Sequence, residues 1–353
     1  MHSLHIIGSR AGGGAEAFFC RLVRALSAHG ASVSAIVRPG SWVSEQLGGG
    51  VRYMSIGMRG GWDLWARYRI GRAVRRGEAA IVQTYLGRAT RLTRIAATGG
   101  GVHVARLGGY YDLEQYRHAH AWVANTRGLC DYLVRHGFPA ARVFHIGNFV
   151  MSPPPIDAEQ LAAVSRQLGV AAGDRLVLAV GRLHPVKGLD TLLRAYAQLR
   201  ASEQAGVTRL VLVGAGPERA ALECLAAELG IARRVHFCGW QADPSPYYRL
   251  ADLLVSSSRQ EALGNTILEA WAHGLPVVAT ATAGTTELIR DGETGLRVPI
   301  NDVAALAAAL RALLADPGAR ARLGEAGRRK VCDEFSPGAI VAAYLALYEH
   351  LAA

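Results

Sequence analysis

The stretch ADLLVSSSRQEALGNTILEAWAHGLPVVAT, residues 251–280, decides how this chain is read. ADLLVSSS opens with an apolar run of strand length. TILEAWAHG has helical spacing and stops at Gly274, and PVVAT is a second strand. Strand, helix, strand in close succession is the unit of a parallel sheet. Two carboxylates, Glu261 and Glu269, stand eight positions apart between strand and helix, with Gly264, Asn265 and Thr266 where the helix begins. A helix start presents unpaired N–H groups and the positive end of the dipole, which suits an anion such as a diphosphate. Glu261 and Glu269 would flank that anion and accept hydrogen bonds from sugar hydroxyls. They would also repel it, so cations are needed. Arg182 and Lys187, in GRLHPVKG after the strand LVLAV, are the natural suppliers, at the carboxyl edge of a parallel sheet.

The same alternation extends outward in both directions. LHIIG, ASVSAIVR, VRYMSI, AAIVQTY, VHVARLG, AWVAN and RVFHIGN read as strands of the first half. A Pro-rich break, MSPPPID, covers residues 151–157. RLVLAVG, RLVLVG, RVHFCG, ADLLVSS and PVVAT follow as strands, then a long Ala/Leu-rich helical tail. The expected domains are therefore 1–150 and 151–335, with residues 336–353 a terminal helix. A chain of 353 residues, half of them hydrophobic, has enough apolar material for two cores.

GRLHPVKG, VGAGPER, the 251–280 stretch and AGTTELIRDGETGLRV, in this order and spacing, resemble the donor half of the family 4 retaining glycosyltransferases of GT-B fold. The likeness is specific over residues 176–298. It implies an α/β chain of two Rossmann-like, doubly wound parallel-sheet domains facing across a cleft. The first would bind acceptor and the second a nucleotide-sugar donor, with the last helix crossing back to the first domain. By the resemblance, Arg182 and Lys187 bind the donor diphosphate, Glu261 contacts the donor sugar and Glu269 holds the ribose. Gly264, Asn265 and Thr266 bring backbone N–H groups to sugar and phosphate. Gly216, in VGAGPER, shapes the nucleotide pocket, and Cys238, in HFCGW, touches the base through its backbone. In the N-terminal loop GSRAGGGAE, Gly13 and Gly14 approach donor and acceptor. That loop lacks GxGxxG spacing and by itself is a weak dinucleotide motif.

VHVARLGGYYD departs from the family. Many members carry a His at the end of this strand, where Gly108 or Gly109 stands here; His103 lies earlier and reads as a core residue. Arg106, Tyr110 and Tyr111 are the acceptor-side candidates. RLGGYY and the segment following it resemble the subset that assembles bacterial lipopolysaccharide and surface polysaccharide. The expected activity is transfer from a nucleotide diphosphate sugar, UDP-sugar favoured, to an anionic or lipid-linked saccharide, with no metal and no other cofactor. A nucleotide-sugar epimerase, a phosphorylase or a non-catalytic nucleotide-sugar binder on the same fold are the alternatives.

The charge is unevenly placed. Residues 1–150 hold 19 Arg, no Lys and 7 Asp plus Glu, so 19 − 7 = +12; the remainder holds 20 basic and 21 acidic residues, so −1. That asymmetry points to an anionic partner for the first half, a membrane surface, a phosphorylated glycolipid or nucleic acid. No nucleic-acid reader motif is present, and no nucleic acid is expected. WDLWARYRIGRAVRR, residues 62–76, mixes aromatic and basic residues at helical spacing, as in a helix lying on an anionic membrane. Only Lys187 and Lys330 are lysine, against 37 Arg, which singles out Lys187 as a place where a compact ammonium is wanted. The five cysteines are isolated, without zinc or disulfide spacing. With an N-terminus that lacks a basic n-region and no apolar run of ~20 residues, the expected location is cytoplasmic, peripheral to the membrane's inner face.

Overall fold

A computed structural model describes residues 1–96, 101–171, 173–199 and 207–353. The chain divides into two units, Met1–Phe149 with Pro337–Ala353, and Val150–Ser336.

The first unit carries strands β1 (His2–Ile7), β2 (Ser32–Val37), β3 (Arg52–Ser55), β4 (Ile81–Tyr85), β5 (Val102–Leu107), β6 (Ala121–Ala124) and β7 (Val143–His145). Its helices are α1 (Gly14–Ala28), α2 (Trp42–Gln46), α3 (Leu64–Gly77), α4 (Leu86–Leu92) and α5 (Arg127–Arg135). The strand order is β3-β2-β1-β4-β5-β6-β7 and every pairing is parallel. Alternate side chains feed opposite faces. Leu4 and Ile6 enter one core with Ile70 and Val74 of α3, while Ile7 enters the other with Phe18, Phe19 and Leu22 of α1.

The second unit carries α6 (Ala158–Gln167), then β8 (Arg175–Val180), β9 (Thr208–Val213), β10 (Val235–Gly239), β11 (Leu253–Ser256), β12 (Val277–Thr280) and β13 (Leu296–Val298). Between and after them lie α7 (Leu189–Leu199), α8 (Arg219–Glu228), α9 (Ser245–Leu250), α10 (Asn265–Ala272), α11 (Ala283–Leu288), α12 (Val303–Ala315) and α13 (Pro317–Glu334). The order is β10-β9-β8-β11-β12-β13, again parallel. Strands such as RLVLAV and VVAT are apolar at successive positions because helices cover both faces.

In each sheet the order reverses once, between β1 and β4 and between β8 and β11. Crossover connections leave to opposite sides there, and a crevice opens at the strands' carboxyl ends. GRLHPVKG follows β8 and EALGN follows β11, so the two charged motifs of the sequence stand on either side of the second reversal.

The last helix, α14 (Pro337–Ala352), packs Ile340, Val341, Tyr344 and Leu347 into the α1 side of the first core. A buried polar network joins it to the sheet. Tyr348 donates to Gln83 Oε1 at 2.7 Å, Gln83 Nε2 donates to the Tyr85 hydroxyl at 2.6 Å, and the His5 ring lies 2.9 Å from that hydroxyl. Burial drives the His5 imidazole down to about 3, with His2 adding to the effect. His103 and His118 are also lowered, chiefly by burial. These rings fold neutral, whereas in the unfolded chain they titrate near 6.5. Their contribution is complete above that value and is lost progressively as pH falls below it. His5 alone should withdraw about 2 kcal/mol by pH 5. The melting temperature at pH 5 should therefore lie clearly below that at pH 7.5; equal values would contradict the neutral buried rings.

Candidate active site

β8 ends at Val180, and Gly181 turns the chain at φ +151. The loop it opens is zipped to the loop after β9. Gly181 N–H donates to Val213 O at 2.9 Å, Leu183 N–H to Ala215 O at 3.0 Å, and Glu218 N–H to the Leu183 carbonyl at 3.1 Å. A Cβ on Gly214 would fall 1.8 Å from Gly181 O, and one on Gly216 2.2 Å from Leu183 O. Both glycines of VGAGP exist so that these two backbones can touch.

Pro185–Lys187 forms one 3-10 turn, capped by His184, whose Nδ1 accepts from Val186 N–H at 3.3 Å. Gly188 follows at φ +59, with Ser257 O where its Cβ would be. Ser257 Oγ donates to Lys187 O at 2.9 Å. Arg259 clasps the same turn: its guanidinium reaches Pro185 O at 2.5 Å, Asp190 at 2.6 Å and Asn301 at 2.9 Å. The sequence reading did not single out Arg259. Its place directly after the β11 strand, two residues before Glu261, was the available signal.

These constraints aim Lys187 Nζ at Glu261, 2.5 Å from Oε2, and Ser258 Oγ shares that oxygen at 3.3 Å. Glu261 is itself pinned through its carbonyl, which accepts from Gly284 N–H at 3.1 Å. Gly284 has to be glycine, since its Cβ would meet Ala262 O at 2.4 Å. Arg182 is exposed and makes no hydrogen bond or ion pair among the described residues. One cation here is neutralised by Glu261 and one is not, so the edge retains positive charge for an anion.

Arg182, Lys187, Ser256, Ser257, Ser258 and Thr266 line one small pocket over Leu212 and Val255. It holds about 20 Å³, room for a single water, so only the phosphate-sized edge of a larger ligand would enter it. Above it, α10 starts after Gly264, which sits at φ +96 and has no side chain to cap the helix. The first-turn N–H groups of Asn265 and Thr266 lie at that start. Glu269, one turn in, is half-buried and accepts from the Tyr248 hydroxyl at 2.9 Å. Tyr248 stacks on His273, ring centroids 5.0 Å apart, and burial pushes its phenol well up, with Glu269 adding to the effect. Cys238 is half-buried and outside the pocket lining; its thiol is raised by burial and its carbonyl accepts from Gln241 at 2.8 Å.

In the first unit, Gly13 caps α1 in extended conformation and Gly14 is the helix's first residue. Gly12 lies under the Trp42 indole, 2.8 Å from where its Cβ would be, so packing accounts for that glycine. Arg106 lies in the core at 3% exposure. Its Nε donates to the Tyr344 hydroxyl at 3.1 Å, another guanidinium nitrogen donates to Asn148, and its plane lies 3.8 Å over the Phe18 ring. It ties α14 to β5, a role that the sequence position does not disclose. Tyr110 and Tyr111 are half-buried, Tyr110 edge-on to Tyr132 and Tyr111 stacked on Tyr116. A Cβ on Gly108, N-terminal to them, would make ordinary contact with the Arg106 guanidinium at 3.4 Å. His103 is fully buried, 2.9 Å from Thr84 Oγ1.

Two parallel-sheet units, the second with an anion-ready edge at its reversal point, are the architecture of the GT-B fold. HepE from Anabaena, crystallised with UDP and glucose, superposes with a TM-score of 0.86 at 21% identity, over 99% of this chain and 100% of that one. A glycosyltransferase from Rickettsia africae gives the same TM-score at 19% identity, over 99% and 98%. The model for Glycosyl transferases group 1 matches residues 162–330. The lipopolysaccharide core biosynthesis glycosyltransferase LpsE of Rhizobium meliloti is 35% identical over 339 residues, 95% of each chain. LpsD of the same organism is 32% identical over 340 residues, 96% of this chain and 95% of that one. The chain belongs to the group 1 glycosyltransferases.

Proposed function

We propose that the chain is a retaining hexosyl- or N-acetylhexosaminyltransferase that uses a nucleotide diphosphate sugar, UDP-sugar favoured, and a lipid-linked or lipopolysaccharide-type saccharide acceptor. The observation that carries this reading is the Lys187–Glu261 pair in one pocket with Arg182, which has no partner among the described residues, near the start of α10, whose N-cap is the side-chain-less Gly264. Arg182, Lys187 and the α10 N–H groups bind the diphosphate; Glu261 accepts from a donor-sugar hydroxyl and Glu269 from the ribose. Gly216 and the Cys238 backbone border the nucleotide, Gly13 and Gly14 approach donor and acceptor, and Tyr110 and Tyr111 serve the acceptor side, with Arg106 holding that region from beneath. The bond from the anomeric carbon to the phosphate oxygen breaks and a bond to the acceptor oxygen forms on the same face. The acceptor proton passes to the departing phosphate oxygen. The two cations stabilise the charge that develops there, which is work a metal ion performs elsewhere.

The reading is supported by HepE, crystallised with UDP, and by LpsE and LpsD, named for lipopolysaccharide core synthesis. Such an acceptor places the enzyme at the cytoplasmic face of a membrane. The experiment is product analysis with a panel of UDP- and GDP-sugars and a lipid-linked core acceptor, with chelator present. The expected product keeps the donor's anomeric configuration and forms undiminished in chelator. An epimerised donor, a sugar phosphate, or nucleotide binding without any turnover would instead select one of the alternative activities on this fold.

A further inference from the structure

We infer that α3 and the neighbouring edge strand β3 form a docking surface for an anionic phospholipid bilayer. The inference rests on the lipid-linked acceptor reading for its purpose, but it is tested by partition and not by turnover.

α3 buries Ala66, Ile70 and Val74, packs Ala73 against the same core, and with Trp62 just before it turns its other large residues to solvent. Those residues are unusual for a solvated helix. Trp62 is 80% exposed, Leu64 74%, Trp65 68% and Tyr68 51%; Met54 on β3 is 48% exposed. Scattered exposed apolar residues need no explanation, but a contiguous group of large ones marks a contact surface. Trp65 and Tyr68 stack on one another, 5.6 Å between centroids, and Arg91 lies 3.5 Å over the Trp62 ring. The patch is thus ordered within itself while facing water.

Charge identifies the occupant. Arg67, Arg69, Arg72, Arg75 and Arg76 are all exposed, and none forms an ion pair among the described residues. No acidic residue lies within α3. Between α3 and β3 runs a groove of about 470 Å³, lined by Met54, Trp65, Tyr68, Arg69, Arg72 and Arg76. Guanidinium groups beside indole and phenol rings match the headgroup layer, where phosphates meet the first acyl carbons. Leu64 and Met54 gain from acyl chains and have no counterpart on a nucleic-acid backbone. The excess positive charge of the first 150 residues strengthens attraction to an anionic leaflet. β3, the outermost strand of the sheet among the described residues, is exposed along its length at this surface, and a membrane would cover its edge without pairing it to another chain.

The test is flotation of the full chain with vesicles of phosphatidylcholine alone and with added phosphatidylglycerol, together with tryptophan emission. The chain should float with the anionic vesicles only, with a blue shift, and should be released by high salt. Arg69→Glu/Arg72→Glu should lower partition at least about tenfold. Trp65→Ser/Tyr68→Ser should lower it as well at constant charge. Trp62→Phe/Trp65→Phe should still float while losing the blue shift. All three variants should keep the parent melting temperature, because the altered side chains lie outside the core. Absence of flotation by the folded parent would overturn the proposal, as would equal flotation with neutral vesicles or insensitivity to both charge and aromatic variants. It would also be overturned by a dimer formed through Trp65 or by tighter binding of an oligonucleotide than of vesicles.

Discussion

Lys187→Ala should lower turnover by roughly 10²- to 10³-fold, the range found when one preorganised stabiliser of developing charge is removed. The substitution also leaves Glu261, until then 2.5 Å from the ammonium, as an uncompensated carboxylate beside the phosphate position. Repulsion from that carboxylate weakens donor binding in addition to slowing the chemical step. The fold should be little affected, since the Lys187 side chain is partly exposed and the turn beneath it is held by Arg259, Ser257 and Gly188. Steady-state kinetics with a melting curve checks both halves. Lys187→Arg is the informative companion. It keeps the charge, but its planar fork replaces a compact ammonium in a pocket with room for about one water, so most of the loss should persist. A Lys187→Ala enzyme with near-parental turnover would remove this residue from the site.

Gly214→Ala should be the most damaging single methyl in the second unit. Its φ of +146 is disfavoured for any side chain, and the new Cβ would lie 1.8 Å from Gly181 O. The loops after β8 and β9 would have to part, breaking the hydrogen bonds that join Gly181 and Leu183 to Val213 and Ala215. Strain and lost contacts together should cost about 3 kcal/mol or more, a fall in melting temperature of roughly 6–12 °C. Gly30→Ala is the control. Gly30 has φ +78 but nothing within 4 Å of the added Cβ, so it isolates conformational strain, near 1–2 kcal/mol. If the two variants melted together, the close approach of the two loops would not be what fixes Gly214. Nucleotide binding should fall with Gly214→Ala as well, because the displaced loop carries Arg182 and Lys187.

Much of this was legible in the sequence, for identifiable reasons. The central strands, such as β1, β4, β8, β9, β11 and β12, announce themselves as apolar runs, since a parallel sheet covered on both faces leaves little polar alternation. β13 does not: Leu296–Val298 is three residues long, and only pairing to β12 makes it a strand. The motifs placed Arg182, Lys187 and Glu261 at one edge, because loops after strands on either side of a reversal must converge. Their pairing was not legible. It depends on Arg259 clasping the Pro185 carbonyl and on Gly284 accepting the Ala262 backbone against it, both set by tertiary contact. Arg106 shows the opposite failure. Ahead of two glycines and two tyrosines it reads as an acceptor-side group, yet Phe18 and Tyr344, far away in sequence, enclose it. The exposed face of α3 was legible as a mixture of Arg and aromatic residues, because an amphipathic pattern with large rings on the polar side has no core to enter.

The most direct test of the central claim, that a nucleotide diphosphate is held at the edge between β8 and β11, is a calorimetric titration of UDP and GDP in chelator. It should be run on the parent chain and on Arg182→Ala and Lys187→Ala. The account predicts saturable binding of one nucleotide, UDP preferred, to the parent, weakened at least about tenfold by either substitution, the loss of one charge-assisted contact. Binding that is unchanged in both variants, or absent from a correctly folded parent, would contradict it.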